Sequence, residues 1–278
     1  MSPPRLGPRH RPRRSGRRGV PALIAAPALV AFAFLLVPLV ALLVRAPWRD
    51  LGHLLAQNDV VSALRLSLEC ATAATVVSLV FGVPLAWVLA RTRFPGIGLA
   101  RALVTLPLVL PPVVGGLGLL LALGRNGIIG RYLDEWFGIT LPFTTPAVII
   151  AETFVAMPFL IVTVEGALRT ADRDIEEAAV TLGASRMTVF RRITLPAIGP
   201  SLVAGSILCW ARALGEFGAT ITFAGNFPGT TQTMPLKIYE AFQLDPEAAI
   251  ALSLVLLAVA VIVLVALRDR WLRGPASL

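Results

Sequence analysis

Six apolar runs, each about as long as a bilayer is thick, constrain this chain more than anything else in it. They fall at about residues 20–44, 66–90, 102–123, 147–168, 200–224 and 248–267. A hydrocarbon core of ~30 Å takes about 20 helical residues to cross. In lipid, only helices and closed barrels satisfy every backbone donor and acceptor. The runs therefore predict an all-α integral membrane protein with six transmembrane helices. Composition agrees: 56% of the 278 residues are hydrophobic and 15% are charged, against about 25% charged in a soluble domain. The expected organisation is a disordered Arg-rich tail over 1–19, a six-helix body over 20–267 and a short tail over 268–278.

The net charge of +9 is placed for membrane orientation rather than for nucleic acid. Twenty-four of the 25 cationic residues are Arg, and seven lie in the first 18 residues, among Pro and Gly with no apolar period. If the N-terminus is cytoplasmic, the inner segments hold 18 cations and the outer segments six, with Arg212 left in the membrane. That bias puts both termini in the cytoplasm. The first run is about twice the length of a signal-peptide core and lacks a clean small-x-small cleavage site, so a retained span is expected. Cys70 and Cys209 sit in apolar runs without a thiol or histidine at ligand spacing, so neither a disulfide nor a metal site is expected. His10 and His53 are isolated. With no Ser/His pair or carboxylate dyad either, a membrane-embedded enzyme has nothing to build on, and no cofactor is implied.

The polar loop between the fourth and fifth runs is the exception to this apolar pattern. It carries Asp172, Arg173, Asp174, Glu176 and Glu177, then Arg186, Arg191 and Arg192. Asp174 is expected to cap a short helix, with Glu177 completing a capping box. The helix should run from Ile175 to about Leu182 and stop at Gly183. Ala178 and Ala179 give it a flat face for another protein. A second short helix is expected after Ser185, ending before Pro196 with Arg191 and Arg192 in its last turn.

At this loop the chain resembles a known family. Glu177-Ala178-Ala179, three residues, Gly183, nine residues, Ile193, one residue, Leu195-Pro196 is similar to the cytoplasmic loop of permease subunits of binding-protein-dependent ABC importers. The resemblance implies a coupling helix, with Asp174, Glu177, Ala178, Ala179, Gly183, Ile193, Leu195 and Pro196 contacting a separate ATPase subunit. It also implies an extracytoplasmic substrate-binding protein as partner. One coupling loop per chain against two nucleotide sites implies a homodimer served by two ATPase copies. The sole lysine, Lys237, follows no glycine-rich loop, so the chain lacks a phosphate loop of its own.

Three further stretches resemble the molybdate permeases of that class: the region from Leu214-Gly-Glu-Phe-Gly-Ala to Tyr239, Pro107–Gly116, and the loop at 124–132. Sulfate/thiosulfate permeases share the Leu-Gly-Glu-Phe-Gly-Ala core, and tungstate is chemically close, so those anions stay open. Within this region Arg212 and Glu216 stand at i and i+4, expected on one helix face beside Gly215 and Gly218. They read either as a neutralised structural pair or as an electropositive point on an anion path. Proline and glycine in the third run predict a bent helix packed through small residues or lining a path. An ion-coupled secondary transporter using Glu152, Glu165 and Glu216 is the alternative of a different class, though no inverted repeat is visible.

Overall fold

The computed structural model describes residues 22–272. The expected tail over 1–19 and the end of the tail over 268–278 lie outside them. The chain divides into two compact units, Met1–Arg45 and Ala46–Leu278. The described part of the first is one helix, α1 (Ala22–Val44), with Pro27 and Pro38 inside it. Its mean hydropathy over Leu23–Val44 is 2.7, apolar on every face as a lipid span requires.

The second unit runs α2 (Leu51–Leu55), α3 (Asn58–Arg91), α4 (Ile97–Val109), α5 (Pro112–Leu123), α6 (Gly130–Phe137), α7 (Thr145–Thr170), α8 (Arg173–Thr181), α9 (Arg186–Val189), a π-helical turn at Phe190–Thr194, α10 (Leu195–Leu214), α11 (Gly218–Phe223), α12 (Met234–Leu244) and α13 (Pro246–Leu272). Five described helices are long and apolar enough to cross a membrane, six crossings if the bent pair α4–α5 counts as one.

The packed centre is α7, laid between α3 and α10. Small residues make that contact: Ala71, Ala74, Ala86 and Ala90 of α3 and Ala156 of α7 are buried against Leu160, Ile161, Val164 and Leu168. A side chain on Gly82 would meet Ile161 at 3.2 Å, and one on Gly205 would meet Leu160 at 3.1 Å. Lipid tails are as apolar as leucine, so helices associate by close van der Waals contact, which small residues permit.

Two of the expected spans are corrected. The third is not one kinked helix: α4 and α5 meet at 116°. Leu110 precedes Pro111 and Pro111 precedes Pro112, and both take extended backbone, ψ 131° and 130°. A residue before proline is kept out of the helical region, and the ring offers no N–H to continue the ladder. The fifth span starts and ends earlier than expected, at Arg186–Leu214 instead of 200–224. Its helix passes through Pro196, where a second loop helix was expected to stop. The π turn just before the proline absorbs the missing donor: Leu195 N–H bonds Phe190 O, five residues back. Arg191 and Arg192 therefore stand inside a continuous helix and not at a C-terminus.

Beyond α5, the Arg125 guanidinium donates to Asp134 at 2.9 Å and holds its carboxyl below the usual carboxylate range. Thr140 adds a second bond to the same carboxylate at 3.0 Å.

Helices α5 and α11 cross at glycine. A Cβ on Gly116 would lie 1.8 Å from Thr222 Oγ1 and 2.7 Å from Ala219 O, and one on Gly218 would lie 2.9 Å from Pro112. Gly118, two residues along α5, has nothing within 4 Å. Gly116→Val is expected to force the two helices apart at a cost of about 3 kcal/mol, while Gly118→Val is tolerated. Thermal unfolding of the detergent-purified variants checks this; equal melting of both would remove the crossing as a support of the fold.

Candidate functional site

The loop after α7 folds into a helix whose two ends are built from its own sequence. Asp172, not Asp174, is the N-cap: its carboxylate accepts the Asp174 N–H at 2.9 Å. The expected capping box is thereby displaced, because an aspartate two residues before the N2 amide reaches it first. Asp174 instead stands in the first turn, where an acid favours the helix dipole. At the other end Gly183 has φ +92°, Gly183 N–H bonds Val180 O at 2.9 Å and Ala184 N–H bonds Ala179 O at 3.0 Å. That pair of bonds is a Schellman motif and needs a left-handed C′ residue. No atom lies within 4 Å of where a Gly183 side chain would go, so backbone conformation alone selects glycine here. Ser185 caps α9 by accepting the Thr188 N–H.

Helix α8 is tied down by a residue that the motif does not define. Glu176 accepts from Arg91 Nη2 at 2.7 Å and from Thr194 Oγ1 at 2.8 Å. It thus joins the end of α3 to the π turn that opens the α10 span. Arg173 adds a bond to Ala90 O at 3.3 Å. The Arg91 side chain is 8% exposed and that of Glu176 20%. No spacing rule pointed to this link, since it joins residues 85 apart. Its one sequence signal was an arginine closing the second apolar run.

The motif residues divide between two faces. Ile175, Ala178 and Leu182 lie at i, i+3 and i+7 and are exposed, Leu182 at 88%. Ala179 beside them is half-buried and lends its carbonyl to the C-cap. Glu177 is exposed but faces the other way, with Val180 and Thr181, toward a cavity of about 510 Å³. Ile193, Leu195 and Pro196 do not join the Ala178 face. They are helical residues of the span itself, and between them Thr194 is buried and reaches Glu176.

The second candidate cluster lies where α10 ends. Arg212 and Glu216 do pair, Nη2 to Oε2 at 2.6 Å. They pair across a helix terminus and not along a helix face, because α10 stops at Leu214 with Gly215 as its C-cap. The other oxygen of Glu216 accepts the Ala219 N–H at 2.7 Å and so caps α11. Glu216 is 1% exposed. Gly215 approaches only its own helix, whereas Gly218 makes the close contact with Pro112. The stretch that follows is packed as well: Thr231, Gln232, Thr233 and Met234 are buried. Met234 N–H bonds Ser67 Oγ at 2.6 Å, and Phe143 meets Phe227 edge-to-face at 5.7 Å.

Residues 82–274 match the family described as binding-protein-dependent transport system inner membrane component. The chain belongs to that family. It is 49% identical over 251 residues to the molybdenum transport system permease protein ModB of Mycobacterium tuberculosis, covering 90% of this chain and 95% of that one. Against ModB of Escherichia coli K12 it is 42% identical, covering 76% and 92%. Against the sulfate transport system permease protein CysT of Salmonella typhimurium it is 37% identical, covering 90% and 92%. Among solved structures, a bacterial ABC transporter that imports the acidic polysaccharide alginate matches with a TM-score of 0.69 at 20% identity, covering 89% and 92%. An inward-facing MetNI methionine ABC transporter matches with 0.60 at 20%, covering 78% and 96%. At that identity the likeness is one of fold.

Removing the Glu176 carboxylate leaves a buried guanidinium uncompensated, which costs about 3 kcal/mol. Glu176→Ala is expected to accelerate hydrogen exchange of the α8 amides strongly, and Glu177→Gln to leave it unchanged. Equal protection in the two variants would remove Glu176 as the anchor.

Proposed function

We propose that this chain is the membrane-spanning subunit of an ATP-driven importer of molybdate. The observation that carries the anion is a gradient of likeness, each match covering 90% of the chain: 49% identity to a molybdenum permease against 37% to a sulfate permease. The motifs quoted for that subgroup are packed in part: Gly115, Gly116, Gly218 and Ala219 are buried at the α5–α11 crossing and Thr231–Met234 are buried, while Phe227–Thr230 and much of the loop at 124–132 are exposed. They support the assignment as marks of likeness and are not assigned as anion ligands.

The transport reading assigns roles to the two clusters. The exposed Ile175–Ala178–Leu182 face, with Asp174, Ala179 and Gly183 shaping it, docks on a separate ATPase subunit. Glu177 borders that contact, and Ile193, Leu195 and Pro196 carry its movement into the α10 span. A short helix capped at both ends and braced on α3 transmits a push from outside as a rigid lever. ATP hydrolysis then belongs to the partner, since the chain has no phosphate loop. Two chains form the path, each with one ATPase copy, and an extracytoplasmic binding protein delivers the anion. The cation bias of 18 to six supports a cytoplasmic position for this loop and both termini. The body of the permease comprises residues 20–267, with the tails 1–19 and 268–278 on the cytoplasmic side. Arg212 and Glu216, with Gly215 and Gly218, hold the α10–α11 break in shape, and the partly exposed Arg212 (27%) gives that end of the helix a positive face.

Deletion of the gene is expected to abolish high-affinity uptake of labelled molybdate, with competition by excess tungstate and not by sulfate. Unchanged molybdate uptake with impaired sulfate uptake would overturn the anion and leave the importer reading standing. Gly183→Pro and Glu177→Lys are expected to leave the protein in the membrane and abolish uptake; normal uptake in either would overturn the docking assignment.

A further inference from the structure

A strongly basic cavity lies beside α8. The end of α3, α8 and α9 with the following turn wall it, and it measures about 510 Å³. Three guanidinium groups line it, one from each helix: Arg91, Arg173 and Arg186. Arg91 is more than nine-tenths buried at its side chain, yet only Nη2 is engaged. Its Nε and Nη1 are buried with no hydrogen-bond partner. A buried charged donor left unpaired is costly, and two such donors on one guanidinium that borders a cavity mark an unfilled anion position.

We propose that this cavity binds a phosphate monoanion, with the phosphodiester of an anionic phospholipid headgroup as its ligand. Charge supports a monoanion: three arginines face two carboxylates, Glu176 and Glu177, so one added negative charge neutralises the site. Glu176 receives both Arg91 Nη2 and Thr194 Oγ1 on Oε1, and neither it nor any other group among the described residues reaches Arg91 Nε or Nη1. Location supports a lipid. The cavity sits where a transmembrane helix ends, with half-exposed Trp87 one turn before Arg91 at the depth where aromatic residues meet headgroups. Val180, Val189 and Phe190 add apolar wall for the glycerol and upper acyl segments. Basic pockets between membrane helices bind phosphate headgroups in this manner.

The site lies on the other face of α8 from the proposed ATPase contact, with Glu177 at the border of both. At 100° per residue, Arg173, Glu176, Glu177 and Val180 lie on the face of α8 opposite Ile175, Ala178 and Leu182. A headgroup held there would bridge α3, α8 and α9 through one arginine each, bracing the helix from its membrane side while the other face stays free. The inference stands whichever anion the transporter carries.

The test uses the full-length chain, purified in detergent and delipidated, then titrated with dioleoylphosphatidylglycerol by native mass spectrometry. Sodium phosphate and sodium molybdate are titrated separately by thermal shift. Arg186 is exposed and has no ion pair among the described residues, so Arg186→Gln is expected to fold and to bind the lipid roughly tenfold more weakly. Arg173→Gln, also exposed, should act alike, and Glu177→Gln should tighten binding by removing an opposing charge. Stabilisation by phosphate that Arg186→Gln abolishes, without lipid discrimination, would assign the same site to the free ion. Equal lipid retention in wild type and both arginine variants, with no phosphate effect in any, would overturn the proposal.

Discussion

Everything in this molecule depends on helices approaching closely enough to hold one another without a hydrophobic drive. In lipid, an apolar side chain gains nothing by moving from acyl chains to protein, so association rests on contact distance. The α3–α7–α10 centre meets that condition with alanines and with Gly82 and Gly205, into which Ile161 and Leu160 fit. The α5–α11 crossing meets it more severely, with Gly116 seated where any side chain would collide with Thr222. These contacts set the spacing that the polar features then exploit.

Where a helix breaks inside such a protein, the freed backbone groups need partners supplied by the chain, and each break has one. The amide freed where α11 begins is answered by Glu216, which receives the Ala219 N–H on one oxygen and Arg212 on the other. The ion pair is therefore also a cap, which explains why an acid sits fully buried at this point. Pro196 is answered by a π turn that shifts the hydrogen bonding by one residue. The α4–α5 break is made by consecutive prolines, whose missing donors leave fewer groups to satisfy.

The loop helix between α7 and α10 has opposed faces because one face is spent on anchorage. Glu176 binds it to Arg91 and Thr194, and its caps fix its length at nine residues. What remains outward is a small apolar surface with Leu182 most exposed. Rigid attachment on one side and an apolar face on the other are what a mechanical link between subunits requires.

The sequence by itself determined the fold class, four of the six apolar spans and the short helix stopping at Gly183, because each follows from local rules: the length of lipid to be crossed, and the left-handed residue a Schellman cap demands. It also determined that Arg212 and Glu216 stand within reach of each other, at i and i+4. Only the tertiary structure decided that Glu176, one residue before the motif, is the anchor, that α10 begins at the loop and runs through Pro196, and that the glycines of α5 and α11 meet. These depend on partners distant in the chain, Arg91 for Glu176 and Thr222 for Gly116, and no periodicity encodes them. The N-cap fell to Asp172 instead of Asp174 for a smaller reason of the same kind: two aspartates offered the same chemistry, and the path of the chain leaving α7 chose between them.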